Sequence, residues 1–149
     1  MSIAKVLRAS AALLLAVAPT FPEAQTAQAP IAVGTSPSGV AFSPDGGTAY
    51  VVNNGDGAVS VIDTGSATVT GTVGVGGGPV GVVVSPDGTR AYVTNGDDAS
   101  VAVIDTAARL LYDSLTVDTF PIGVALSADA SRLYVTNKDV GTVSVLTLG

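Results

Sequence analysis

The sequence predicts an all-β fold of repeated four-stranded antiparallel units, and three observations predict it. The first is a 42-residue period that runs without insertion or deletion: Pro37, Pro79 and Pro121 share one phase, as do Gly39, Gly81 and Gly123, then Ser43, Ser85 and Ser127. A period of this length marks stacked supersecondary units, none of which buries its apolar face alone. The second is turn chemistry at short intervals, with 18 glycines and 8 prolines spread along the chain without a three-residue period. The third is a valine-rich apolar content, 47% hydrophobic with only 5% aromatic, and a β-branched core favours strands over helices.

The first copy divides in order. Gly39 to Ser43 reads as a strand, Pro44-Asp45-Gly46-Gly47 as its turn, Thr48 to Asn53 as the second strand and Asn54-Gly55-Asp56-Gly57 as the second turn. Ala58 to Asp63 is a third strand and, after Thr64-Gly65-Ser66, roughly Thr68 to Val75 is a fourth, before the Gly76-Gly77-Gly78-Pro79 link. Each turn carries Asp, Asn, Gly or Pro, which supply the positive or fixed φ of tight hairpins. Runs such as Val82-Val83-Val84, Val124-Ala125-Leu126 and Ala49-Tyr50-Val51-Val52 are apolar on both faces of their strands, so both faces are covered. Blades stacked around an axis do this, and four antiparallel strands per 42 residues is the unit of a β-propeller blade. The rival β-solenoid has coils nearer ~20 residues.

Tyr92-Val93-Thr94-Asn95 and Tyr134-Val135-Thr136-Asn137, with Ser85-Pro86-Asp87-Gly88 and Val103-Ile104-Asp105-Thr106, resemble the signature of the YVTN-type β-propeller repeat proteins. Copy one departs with Tyr50-Val51-Val52-Asn53. Copy three departs further, with Ser127-Ala128-Asp129-Ala130 in its first turn and Leu146-Thr147 in place of Ile-Asp. The resemblance implies an exported propeller protein of bacterial or archaeal surface or periplasmic use and carries no shared catalytic residue. It also implies a ring of about seven blades, so three are incomplete.

The repeat domain is expected over 30–149, with repeats 37–78, 79–120 and 121–149. Ile31-Ala32-Val33 aligns with Val73-Gly74-Val75 and Leu115-Thr116-Val117, which are fourth strands, while the third copy runs out after a third strand. Strand 31–33 is therefore expected to complete the last blade, within one chain or between two chains of a six-bladed homodimer, since an open blade exposes an aggregation-prone edge. A portion of a longer propeller is the alternative.

Residues 1–29 read as a secretory signal and short linker. Lys5 and Arg8 precede an unbroken run of small or apolar residues from Ala9 to Ala18, about half the ~20 residues of a spanning helix, and Pro19 and Pro22 follow. Cleavage after Ala24, Ala27 or Ala29 fits, and an uncleaved anchor is the alternative to a mature chain without a membrane span. Beyond the signal, four basic residues stand against eleven aspartates, a net charge of −7. So few cations count against nucleic acid as a partner. With no cysteine there is no disulfide framework.

Histidine is absent as well, which excludes a Ser-His-Asp triad, a Cys-His pair and histidine metal centres. No catalytic residue, cofactor or metal ligand is assigned. Asp97-Asp98, with Asn53-Asn54-Gly55-Asp56 and Asn137-Lys138-Asp139, could offer oxygens to Ca²⁺, but tight turns need the same residues and no Glu supplies a bidentate ligand. Asp45, Asp87 and Asp129 recur in one turn, and a reaction needs its group once whereas a hairpin needs its turn residue every time. Tyr50, Tyr92 and Tyr134 read as packing residues with a polar tip. They and Asn53, Asn95 and Asn137 define the repeat. Gly76-Gly77-Gly78 lacks the Lys-Ser/Thr and helix of a phosphate cradle and reads as an inter-blade link. The expected function is a binding or scaffold module at the cell surface or in the periplasm, its partner a protein or small molecule, because propeller loops form a recognition surface. The alternatives are a lactonase-like hydrolase, which would need an Asp or Arg109 at a pocket, or a fragment without independent function.

Overall fold

A computed structural model describes residues 26–149. The export signal expected over residues 1–29 lies, up to residue 25, outside the described residues. Blade 1 is β1 (Pro37–Phe42), β2 (Thr48–Asn53), β3 (Ala58–Asp63) and β4 (Thr68–Gly74). Blade 2 is β5 (Pro79–Val84), β6 (Arg90–Asn95), β7 (Ser100–Asp105) and β8 (Leu110–Thr116), and blade 3 is β9 (Pro121–Leu126), β10 (Arg132–Asn137) and β11 (Thr142–Thr147). Each blade is an antiparallel meander in chain order, and blades 1 and 2 have four strands. Among the described residues no helix is long and apolar enough to cross a membrane.

The bilateral burial read from the apolar runs is the packing that forms. Tyr50, Val59 and Val61 of blade 1 join Ala91, Val93, Ala102 and Ile104 of blade 2 in one core cluster, with Val82 and Val84 packed against it. Tyr92, Val101 and Val103 of blade 2 meet Leu133 and Val135 of blade 3 in a second, flanked by Val124 and Leu126. Blade 2 is therefore the middle layer of three. The inner strands β1, β5 and β9 run side by side, and glycine makes that spacing possible: a Cβ on Gly39 would lie 2.6 Å from the Val80 carbonyl oxygen, and one on Gly81 would strike that of Ile122.

Blade 3 differs from the other two in its number of strands. Its sheet has three strands, β11-β10-β9, and residues 31–33 belong to no strand. The following residues are held by blade 1 instead. Gly34 N–H donates to Asn53 Oδ1 at 3.1 Å, Thr35 N–H to Asp56 Oδ2 at 2.7 Å, and Asn54 N–H to the Ser36 carbonyl at 3.0 Å. So clasped, the segment serves as the link entering blade 1, and within one chain it does not close the last blade.

Candidate functional site

One aspartate closes the first turn of every blade. The hydroxyls of Ser43, Ser85 and Ser127 donate to Oδ1 of Asp45, Asp87 and Asp129 at 2.5, 2.6 and 2.6 Å. The same oxygens accept the N–H groups of Gly47, Thr89 and Ser131 at 2.9, 3.0 and 3.1 Å. The serine hydroxyl, then the backbone N–H, hold the Asp87 and Asp129 carboxyls at about 2 against an ordinary 3.8, and the same pair lowers Asp45. A carboxylate so stabilised in its ionised form is a poor proton donor near neutrality.

Asn53, Asn95 and Asn137 end each second strand and are buried. Asn53 Nδ2 donates to Ser60 Oγ at 2.8 Å, and Asn95 Nδ2 to the Val75 carbonyl at 2.9 Å and Ser100 Oγ at 3.2 Å. Asn137 Nδ2 donates to Ser144 Oγ at 2.9 Å and Thr142 Oγ1 at 3.1 Å. Asn53 Oδ1 takes the Gly34 N–H, whereas Asn95 Oδ1 and Asn137 Oδ1 find no partner among the described residues. Of the Asp97-Asp98 pair, Asp98 accepts Gly77 N–H at 2.6 Å, as Asp56 accepts Thr35 N–H in blade 1. These loop carboxylates fasten the inter-blade links.

Tyr50 and Tyr92 face the clefts between blades. Tyr50 lies 4% exposed in a cleft of about 320 Å³ shared with Asp45, Thr48, Asp87 and Thr106. Tyr92 lies 7% exposed in a cleft of about 340 Å³ with Arg90, Tyr112, Asp113 and Leu146. Burial pushes both phenols up. Tyr134 is 41% exposed. Among the described residues Arg109 reaches no aspartate: its Nη1 donates to the Thr70 carbonyl and hydroxyl oxygens, both at 3.2 Å, tying the outer turn of blade 2 to β4.

The second cleft opens onto a surface that breaks the repeat. β8, the outer edge of blade 2, begins Leu110-Leu111-Tyr112, where the same phase of β4 has Thr68-Val69-Thr70. Leu110, Leu111 and Tyr112 are 64%, 47% and 65% exposed. In the β7–β8 register Val103 faces Asp113 and Ile104 faces Leu111, so Tyr112 is the extra residue of a bulge, a feature that re-aims a side chain. Its ring lies under the Arg90 guanidinium, 4.4 Å from Cζ to the ring centroid, and Arg90 Nη1 pairs with Asp105 Oδ2 at 2.8 Å. An ion pair this exposed contributes about 0–1 kcal/mol. Its effect is to hold the guanidinium over the aromatic face.

No protein-family model matches the chain, and no curated protein matches it. Solved structures do. Hydrazine synthase of Kuenenia stuttgartiensis superposes with a TM-score of 0.75 at 27% identity, over 87% of this chain and 36% of that one. A protein from Lactobacillus plantarum gives 0.71 at 23% identity, over 84% and 40%. A 6-phosphogluconolactonase candidate from Bacteroides fragilis gives 0.71 at 22% identity, over 79% and 36%. The fold is of propeller type. The chain spans well under half the length of these relatives in structure.

The residues that distinguish this surface, Leu110, Leu111, Tyr112 and Arg90, were not among those singled out from the sequence. Their signal was present as difference rather than as repetition. Aligned in phase, β4 and β8 exchange threonine for leucine and tyrosine at positions that face solvent, where packing makes no such demand.

Proposed function

We propose that this chain is an exported binding module of the periplasm or cell surface, whose partner is a protein laying an extended segment along β8. The observation that carries the reading is the exposed Leu110-Leu111-Tyr112 run on an unpaired strand edge. A free edge offers backbone donors and acceptors to an added strand, and apolar side chains beside it supply the burial that makes such pairing specific. Leucines beside a tyrosine stacked on an arginine have the make-up of an interface centre, where aromatic and Arg anchors contribute most of the affinity. The adjoining cleft of about 340 Å³ gives one partner side chain a pocket between Tyr92, Tyr112 and Leu146.

The test compares the wild-type chain with Leu110→Ser/Tyr112→Ser and, as control, Thr70→Ser on blade 1. Each is immobilised and exposed to periplasmic and envelope extracts of the source cell, and any retained protein is then purified and titrated against all three. We expect binding by wild type and control and at least a tenfold loss in the β8 variant. Equal binding by all three, or none, overturns the reading. Cell fractionation tests export. Turnover of a lactone by the purified chain would replace the binder with the hydrolase alternative, for which the propeller fold is the support.

A further inference from the structure

We infer that the outer face of blade 3, open among the described residues, receives blade 1 of a second copy of this chain, and that two chains thereby close a ring of six blades. The inference does not rest on the binding edge of β8. Its first support is the burial of equivalent residues. Val59 and Val101 are fully buried by the blade that follows them, but Val143, in the same phase, is 54% exposed. Val61 and Val103 are 2% and 6% exposed against 53% for Val145, and Tyr50 and Tyr92 are 4% and 7% exposed against 41% for Tyr134. The opposite side of the molecule carries the matching half. Val82 and Val84 of blade 2, and Val124 and Leu126 of blade 3, pack into the preceding blade. Their counterparts in blade 1, Val40 and Phe42, are each 61% exposed. One chain thus presents both halves of an interface that it makes twice internally.

Polar groups on the same surface specify which atoms meet. Thr94 Oγ1 accepts the Gly81 N–H at 2.9 Å and donates its proton to the Ile122 carbonyl of the next blade at 2.7 Å. Gly81 lacks the Cβ that would strike this carbonyl. Blade 3 repeats the device with nothing in it. Thr136 Oγ1 accepts the Gly123 N–H at 2.9 Å, its proton reaches among the described residues only the Gly123 carbonyl at 3.5 Å, and the three atoms nearest a Cβ placed on Gly123 all belong to Thr136 of the same blade. The carbonyl that stands in phase with Ile122 is that of Ser38, on the leading strand of blade 1. The orphan segment fits as well. Val75 N–H donates to Gly57 and Val117 N–H to Ala99, both at 2.9 Å, where a fourth strand meets a third. Val33 is in phase with Val75 and Val117, and Gly141 with Gly57 and Ala99, so a docked second copy brings Val33 N–H to the open edge of β11. A head-to-tail contact of this kind closes when made twice about a twofold axis.

The experiment is sedimentation velocity and native mass spectrometry on the full chain, as its host cell processes it, across a hundredfold range of concentration. The expected species has twice the chain mass. Val143→Asp/Val145→Asp and Phe42→Asp should each be monomeric with unchanged strand content by circular dichroism. A mixture of the two should associate, because one intact face remains on each chain. Thr136→Val removes one hydrogen bond from each of the two contacts and should weaken the dimer about twenty-five-fold. A wild-type monomer at every concentration, an open-ended polymer, or a dimer indifferent to these substitutions overturns the proposal. So does a monomer that Val143→Asp/Val145→Asp destabilises, which would place another part of the same chain on that face.

Discussion

Ala130 stands at φ 58° in the first turn of blade 3, where blades 1 and 2 have Gly46 at φ 73° and Gly88 at φ 74°. A Cβ in the left-handed region costs about 1–2 kcal/mol, which glycine avoids. Ala130→Gly should therefore raise stability by about 1 kcal/mol, read from the urea midpoint at unchanged slope. The neighbouring Asp129 makes the second residue-scale prediction, with Asp87. Both carboxyls sit at about 2 in the folded chain against 3.8 ordinarily. A depressed folded value stabilises fully above the unfolded one and is lost as pH falls through the folded one. The melting temperature should accordingly drop between about pH 4 and pH 2. In Ser85→Ala/Ser127→Ala, which removes the largest cause of both shifts, it should start lower at neutral pH and drop less across that window.

At the scale of the strand, the phase of the repeat and the turn residues made most of the architecture legible. β2 and β3 run from Thr48 to Asn53 and from Ala58 to Asp63 as read, because Asp, Asn and Gly mark both of their ends. β1 begins two residues earlier than read, at Pro37, because inner-strand pairing continues past the glycine through a register shift between Pro37 and Val40. Residues 31–33 join no strand of the described chain, since periodicity gives the phase of a segment but not which blade holds it. The exposed run on β8 was missed for the converse reason: a search for repeats passes over positions where copies differ. Inner-strand glycines carry the prediction at this scale. Gly81→Ala drives a methyl against the backbone carbonyl of Ile122, which belongs to strand β9 and accepts the Thr94 hydroxyl. It should cost about 1–3 kcal/mol as overpacking. Gly123→Ala meets only the Thr136 hydroxyl at 2.9 Å and should cost less in the isolated chain, yet abolish its dimer. Urea unfolding of both variants beside sedimentation separates the two effects.

Across the whole molecule, stability is distributed by neighbours. Blade 2 contributes to both core clusters, while blades 1 and 3 contribute to one each, and blade 3 has three strands. In stacked repeats each unit is held by its own ladder and its adjoining interfaces, so opening begins where interfaces are fewest. Amides of β6 and β7, central strands whose apolar residues are almost wholly buried, should exchange with solvent last, and those of β10 and β11 first. Hydrogen exchange followed by mass spectrometry at low protein concentration gives this order, and simultaneous exchange of all three blades would mean one cooperative unit instead. Raising the concentration then separates two causes of protection. If blade 3 is weak only because its outer face is open, β11 should gain protection as chains associate while β6 and β7 stay unchanged. In Val143→Asp/Val145→Asp that gain should vanish.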